Sequence, residues 1–166
     1  DLARLDADIG VRPSRNPPDT LLGRRVGGLA FAVYGHRTSD RTVAFELAGD
    51  HNWLGGCNAL LNAPPMQWMA DTLTEARIVA RADSFVALRT MAEAGIGLAL
   101  LPCCLGDQSP TLERLTAPLA EVETSIWVLT HRDLRNTARV RALSDHLTCC
   151  FRRERDRLEG RAPGEQ

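Results

Sequence analysis

Residues 82–85 (Ala82, Asp83, Ser84 and Phe85) carry the pattern in this chain that is best suited to hold a small polar ligand. Ser84 is a typical N-cap, because its hydroxyl can accept a hydrogen bond from a free N–H group of a helical first turn. The positive end of a helix dipole also attracts anions to such a turn. Asp83 and Ser84 are equally the residue types of an ordinary capped helix, so the pattern alone leaves both interpretations open.

Thiols and imidazoles are the next candidates for chemistry. The histidines and the cysteines lack the two-to-four-residue spacing of metal ligands, so we predict no metal site. The cysteines are either small buried hydrophobic residues or, for Cys103 or Cys104 at a strand exit, an oxidant-sensing thiol. The residues concerned are His36, His51, His131, His146, Cys57, Cys103, Cys104, Cys149 and Cys150.

Catalytic signatures are missing from the sequence. There is no G-x-S-x-G nucleophile elbow, and Gly95-Ile-Gly97 lacks the third glycine of a dinucleotide fingerprint. All 20 basic residues are arginine, which excludes a Schiff-base lysine and a phosphate-binding GK[ST] loop. We therefore predict neither enzymatic activity nor a cofactor.

The elements that must position Ser84 form a strand–helix–strand unit over residues 78–106. Residues 78–82 predict a strand, and the helical spacing of Phe85, Leu88, Met91 and Ala92 predicts a helix that Ser84 begins. Gly95 fits the left-handed residue that ends a helix. Residues 96–101 are an apolar run typical of a buried parallel strand.

The remaining segments suggest a chain that crosses twice between two lobes. Residues 7–12, 29–34, 43–47 and 124–130 predict strands, residues 1–5 and the segment after Pro64 predict helices, and the segment around Trp53 is irregular. Residues 108–123 predict a linker. The last helix has apolar residues at helical spacing, namely Val140, Leu143, Leu147 and Phe151. Such lobes form a cleft for small ligands.

Composition sets the class of protein. The chain has 166 residues, 44% hydrophobic and 25% charged, as in an ordinary globular protein. A net charge of −1 gives no indication of a nucleic-acid surface. No apolar run is long enough to span a bilayer, and no signal peptide opens the chain, so we expect a cytoplasmic protein.

Four segments together resemble the effector-sensing domain of LysR-type bacterial transcription regulators. They are ADIGVR at 7–12, LLGRRVGGLAFAVYGH at 21–36, RADSFVALRTMAEAGIGLALLPCCLGD at 81–107 and WVLTHRDLRNTARVRAL at 127–143. The most specific stretch is AGIGLALLP, and the order of all four is more specific still.

The resemblance implies an α/β fold of two lobes, like the type 2 periplasmic binding proteins, with two crossover strands. Lobe I would hold residues 1–36 and 119–151, lobe II residues 37–118, and residues 152–166 would form a charged, disordered tail. The family's winged helix-turn-helix and the sensing domain's first strand, helix and second strand have no counterpart here. The resemblance therefore implies an N-terminally truncated chain with an incomplete lobe I.

The resemblance also implies a site and partners. Ala82, Asp83, Ser84 and Phe85 would line the effector pocket. The Ser84 turn would bind a carboxylate, Phe85 would pack on the apolar part, and Asp83 would cap, face away or select a donor. The crossover residues Tyr34 and Gly35 and the strand exit at Thr130 would lie nearby. The list of implied partners is a small-molecule effector, a homodimer or tetramer, and promoter DNA contacted through the absent winged helix-turn-helix domain, with no membrane.

Two alternatives stay open at this point. A stand-alone solute-binding protein would share the two-lobed architecture but would need an export signal. A thiol redox sensor would act through Cys103 or Cys104.

Overall fold

The computed structural model describes residues 7–15, 21–37, 46–47, 49–73 and 77–161. Its strands are β1 (Ile9–Ser14), β2 (Leu21–Leu29), β3 (Phe31–His36), β4 (Trp53–Gly56), β5 (Ile78–Ala82), β6 (Leu98–Pro102), β7 (Leu112–Arg114) and β8 (Thr124–His131). Its helices are α1 (Pro64–Thr72), α2 (Phe85–Glu93), α3 (Cys103–Gly106), α4 (Ala138–Arg153) and α5 (Arg155–Leu158). None of the helices in these ranges is long and apolar enough to cross a membrane.

The chain divides into two compact units. Unit 1 comprises Asp1–Leu29 and Thr124–Gln166, and unit 2 comprises Ala30–Glu123. The sequence-based boundaries placed β3 in the first lobe, whereas the structure puts β3 in unit 2. The reason is that β3 pairs with β6 on one side and with β7 on the other, and both of these strands belong to unit 2.

Unit 2 contains a five-stranded sheet in the order β5-β4-β6-β3-β7. Strands β4, β5 and β6 are parallel, while β3 runs antiparallel to β6 and to β7. The irregular segment expected around Trp53 is instead the buried strand β4, because its two glycines and two large apolar residues fit between two parallel neighbours. The predicted linker likewise contains β7.

Helix α2 forms as its sequence predicts. Ser84 is the N-cap, and the inward face holds Leu88 and Ala92, which are both fully buried. Gly95 has a φ of 72°, the left-handed conformation that glycine adopts most readily, and it follows the end of the helix. The strand–helix–strand prediction over this segment is confirmed.

Unit 1 contains a three-stranded antiparallel sheet in the order β1-β8-β2, and α4 packs on β2 and β8. The predicted inward face of α4 is partly wrong, because Leu143 is 47% exposed. The buried residues are Val140 and Thr148. Thr148 tolerates burial because its hydroxyl donates to the carbonyl of Ser144 at 2.7 Å.

Residues 152–161, which were predicted as part of a disordered tail, are ordered. Helix α4 continues to Arg153, α5 follows, and Glu159 accepts hydrogen bonds from the Gly28 amide at 3.4 Å and from Arg155 Nε at 3.0 Å. These partners give the charged segment a fixed place in unit 1. Residues 162–166, the predicted helix at 1–5 and most of the predicted strand at 43–47 lie outside the described residues.

Candidate functional site

The candidate site lies where the three parallel strands of unit 2 end. Gly56 of β4 is in register with Ala82 of β5, and β6 ends at Pro102 on the same side of the sheet. We call this side the carboxyl edge. Because loops and helix N-termini follow parallel strands here, small ligands commonly bind at such an edge.

Ser84 begins α2 at the carboxyl edge. Its Oγ accepts a hydrogen bond from the Ala87 amide at 3.2 Å, and its carbonyl accepts from the Leu88 amide at 3.0 Å. The amides of Phe85 and Val86 belong to the first turn, where a helix offers N–H groups no internal acceptor. Asp83 is exposed to solvent. The turn therefore presents backbone donors, with the serine hydroxyl beside them.

The strand before the turn is held firmly at its end. The carbonyl of Ala82 accepts a hydrogen bond from the Cys57 amide at 2.9 Å. This bond joins the exits of β4 and β5, so Cys57 and the Ser84 turn lie side by side at the carboxyl edge.

Phe85 contacts an aromatic residue that sequence reasoning missed. Its ring centroid lies 5.6 Å from that of Phe31, with an angle of 52° between the ring planes. Phe31 is buried and Phe85 is half-buried, so one ring anchors the other at the edge. Phe31 begins β3 and pairs with Pro102, which places the start of β3 at the carboxyl edge.

The prediction that Tyr34 and Gly35 adjoin the Ser84 turn is not supported by the strand register. Tyr34 pairs with Ala99, and Gly35 follows it, so both lie towards the amino end of β6. The cause is the antiparallel direction of β3, which an apolar run does not encode. A Cβ on Gly35 would also lie 2.8 Å from Leu98 Cδ2, so this backbone is covered by neighbours.

Tyr34 belongs instead to the interior of unit 2. Its side chain is 1% exposed, and its hydroxyl donates to Asp107 Oδ1 at 2.7 Å. Arg114 Nε donates to the same hydroxyl at 3.2 Å, and Arg114 also pairs with Asp107. Burial, together with the neighbouring Cys103 and Asp107, raises the pKa of the Tyr34 phenol. The hydroxyl is thus a neutral structural donor.

Thr130 lies in unit 1, near the end of β8. Its hydroxyl donates to the Asp8 carbonyl at 2.8 Å, and the residue lines a cleft of unit 1. Of the predicted site residues, Ala82, Asp83, Ser84 and Phe85 belong to unit 2, whereas Thr130 belongs to unit 1.

Cys103, one of the two candidate sensing thiols, lacks the environment that such a thiol needs. Cys103 is fully buried, and burial raises the pKa of its thiol, which disfavours the reactive thiolate. Cys104 is half-buried. Within the described ranges, no group of three or more His, Cys, Asp or Glu residues is placed to hold a metal ion.

A family model described as the LysR substrate binding domain matches residues 1–150. The chain belongs to this family. It is an effector-sensing domain of LysR-type transcription regulators, and the family is one of effector-binding domains, not of enzymes. No curated protein sequence matches the chain significantly.

Solved structures of LysR-type regulatory domains share the fold. The effector domain of AmpR from Pseudomonas aeruginosa is 20% identical, with a TM-score of 0.66 over 93% of this chain and 76% of that one. The CrgA regulatory domain from Neisseria meningitidis is 22% identical, with a TM-score of 0.67 over 90% and 78%. The regulatory domain of HypT from Salmonella typhimurium is 15% identical, with a TM-score of 0.70 over 90% and 75%. The predicted periplasmic-binding-protein-like α/β fold is therefore confirmed.

Proposed function

We propose that this LysR-type sensing domain binds a small anionic effector at the carboxyl edge of unit 2, with the start of α2 as the anion-binding element. One observation carries the proposal: the Ser84-capped turn stands beside the Phe31–Phe85 ring pair. Backbone donors and an aromatic surface in one place suit a ligand that has both a carboxylate and an apolar part.

Each residue has a distinct role in this proposal. The amides of Phe85 and Val86 bind the carboxylate, and the Ser84 hydroxyl holds the turn in shape through the Ala87 amide. Phe85 packs on the apolar part of the effector, and the buried Phe31 ring packs against Phe85. Asp83 is exposed and disfavours ligands with a second negative charge on its side.

The proposal extends to the whole regulator. The domain acts as a homodimer or tetramer in the cytoplasm, and effector binding changes how the assembly holds promoter DNA. A winged helix-turn-helix domain outside this chain makes the DNA contacts. Family membership favours this role over that of a stand-alone solute-binding protein. Burial of Cys103 favours it over a sensor that uses that thiol.

A matched pair of variants tests the site. Asparagine and aspartate cap helices about as well as serine does, so Ser84→Asn and Ser84→Asp both keep α2 capped. Only Ser84→Asp adds a negative charge at the proposed carboxylate position. A library of small aliphatic and aromatic carboxylic acids is first screened by thermal shift, and the dissociation constant of the best ligand is then measured by calorimetry.

We expect Ser84→Asn to bind within a few-fold of the parent and Ser84→Asp to bind at least about tenfold more weakly. Thr90→Asp is the control, because Thr90 is exposed on α2, away from its first turn, and acquires the same charge. Equal binding by the two Ser84 variants would place the ligand elsewhere and refute the proposed site.

A further inference from the structure

Unit 1 contains a basic cleft that no part of the effector site uses. It has a volume of about 490 Å³ and lies between the β2–β8 sheet face and the N-terminal half of α4. Seven polar and charged residues line it, and we call it the α4 cleft. They are Arg24, Thr130, Arg135, Asn136, Arg141, Ser144 and Asp145.

The charges in the α4 cleft do not balance. Arg24 donates to Asp145 at 2.8 Å, which neutralises one guanidinium. Among the residues that the structure describes, no hydrogen bond or ion pair engages the side chain of Arg135 or Arg141. Two uncompensated positive charges therefore face one opening.

Helix α4 adds to the positive potential. It has 16 residues, the Thr137 side chain makes no capping hydrogen bond, and the first turn holds no acidic residue. Arg139 and Arg141 occupy the first turns instead, at the end of the helix dipole where cations are unfavourable. Arg139 is offset by Asp8 at 3.0 Å, but Arg141 has no such partner in the described structure.

We infer that the α4 cleft is a binding site for a small multivalent oxyanion, of the phosphate or polycarboxylate type. Guanidinium groups bind such ions through paired N–H donors, and the exposed Asn136 amide adds a further donor. An anion there would compensate the positive charges of Arg135 and Arg141 and the positive end of the α4 dipole. This site is separate from the carboxyl edge of unit 2, and it does not depend on the effector proposed there.

Calorimetric titration of the whole chain tests the inference. The probes are inorganic phosphate and citrate, each at constant ionic strength with chloride as the reference ion. Tighter binding of phosphate indicates a phosphate-type ligand, and tighter binding of citrate indicates a polycarboxylate. Absence of saturable binding of both probes below about 10 mM overturns the site.

Three variants locate the binding. Arg135→Gln/Arg141→Gln is expected to weaken the better probe by at least about tenfold. Arg152→Gln/Arg153→Gln removes the same charge from the exposed far end of α4 and is expected to leave affinity nearly unchanged. Asp145→Asn removes the one carboxylate of the cleft and is expected to tighten binding several-fold.

The controls separate this site from general effects. If both double variants weaken binding equally, the anion responds only to net charge and the inference fails. Circular dichroism checks that each variant is folded. Ser84→Asp is expected to bind the probe as the parent does, so failure of one site is distinguishable from failure of the other.

Discussion

The two units of the molecule use charged side chains in opposite ways. In unit 2, Arg114 and Asp107 are 25% and 40% exposed and are anchored on the buried Tyr34 hydroxyl. In unit 1, Arg24 and Asp145 are 56% and 68% exposed and bond mainly to each other. The Arg114–Asp107 pair of unit 2 is therefore tied to a buried hydroxyl, whereas the Arg24–Asp145 pair of unit 1 stays at the surface of the α4 cleft.

The apolar interiors differ in the same direction. In unit 2, Leu88 of α2 and Leu100 and Leu101 of β6 are fully buried where the helix packs on the sheet. Among the largest fully buried side chains of the described residues, Leu129 lies in unit 1 and all the others lie in unit 2. We therefore expect substitutions in unit 2 to have the larger effects on the free energy of unfolding.

The largest effect is expected for Leu88→Ala. Removal of a fully buried leucine side chain leaves a cavity against the sheet, and we expect a loss of about 3 kcal/mol in the free energy of unfolding. Urea denaturation followed by tryptophan fluorescence measures it. Leu143→Ala is the control, with an expected change below about 0.5 kcal/mol. Similar losses for the two variants would contradict the comparison.

Tyr34→Phe should have the next largest effect. It removes the hydroxyl that donates to Asp107 and accepts from Arg114, while those two side chains still pair with each other. We expect a loss of about 1–2 kcal/mol, measured in the same urea experiment. An unchanged midpoint would mean that the hydroxyl adds nothing to the packing of unit 2.

Alkaline titration examines the same residue without mutation, because the chain has one tyrosine. The pKa of Tyr34 is raised in the folded protein by burial, so its stabilising contribution is complete below about pH 10 and is lost as the pH rises further. Stability should fall by about 1.4 kcal/mol per pH unit above pH 10 from this group. Phenolate absorbance that appears near pH 10 without unfolding would refute the burial argument, and Tyr34→Phe should lack this component.

The smallest effect is expected for Arg24→Ala. Its ion pair with Asp145 is exposed on both sides, so the loss in the free energy of unfolding should be below about 1 kcal/mol. Added salt should reduce even that difference. A loss comparable to that of Tyr34→Phe would show that unit 1 depends on its charges as strongly as unit 2 does.

Local signals account for what the sequence could predict. Helix α2 has a serine N-cap, an apolar face and a closing glycine within a dozen residues, and each acts over a few residues of chain. The turn at Asp83 and Ser84 was predictable for the same reason. The contact between Phe85 and Phe31 was not, because it depends on how strands far apart in sequence pair.

Two other misses have the same origin. The direction of β3 is set by its pairing with β6 and β7, so an apolar run could not predict that residues 34 and 35 follow Phe31 away from the carboxyl edge. Leu143 was expected to be buried because it shares a helical spacing with Val140, but Thr148 takes the inward position. Threonine is a polar residue type, so the sequence pattern did not predict its burial; the burial is possible because the hydroxyl bonds to a carbonyl of its own helix.

The antiparallel course of β3 has a practical consequence for building a reporter of this domain. Phe31, the first residue of β3, belongs to the ring pair beside α2. His36, the last residue of the strand, lies five residues later, which is roughly 17 Å along the strand at about 3.4 Å per residue. A fluorophore attached at Arg37, which is exposed, would therefore be well removed from the start of α2 while joined to it by one rigid strand. Such a label would report on effector binding at the carboxyl edge without blocking the proposed site.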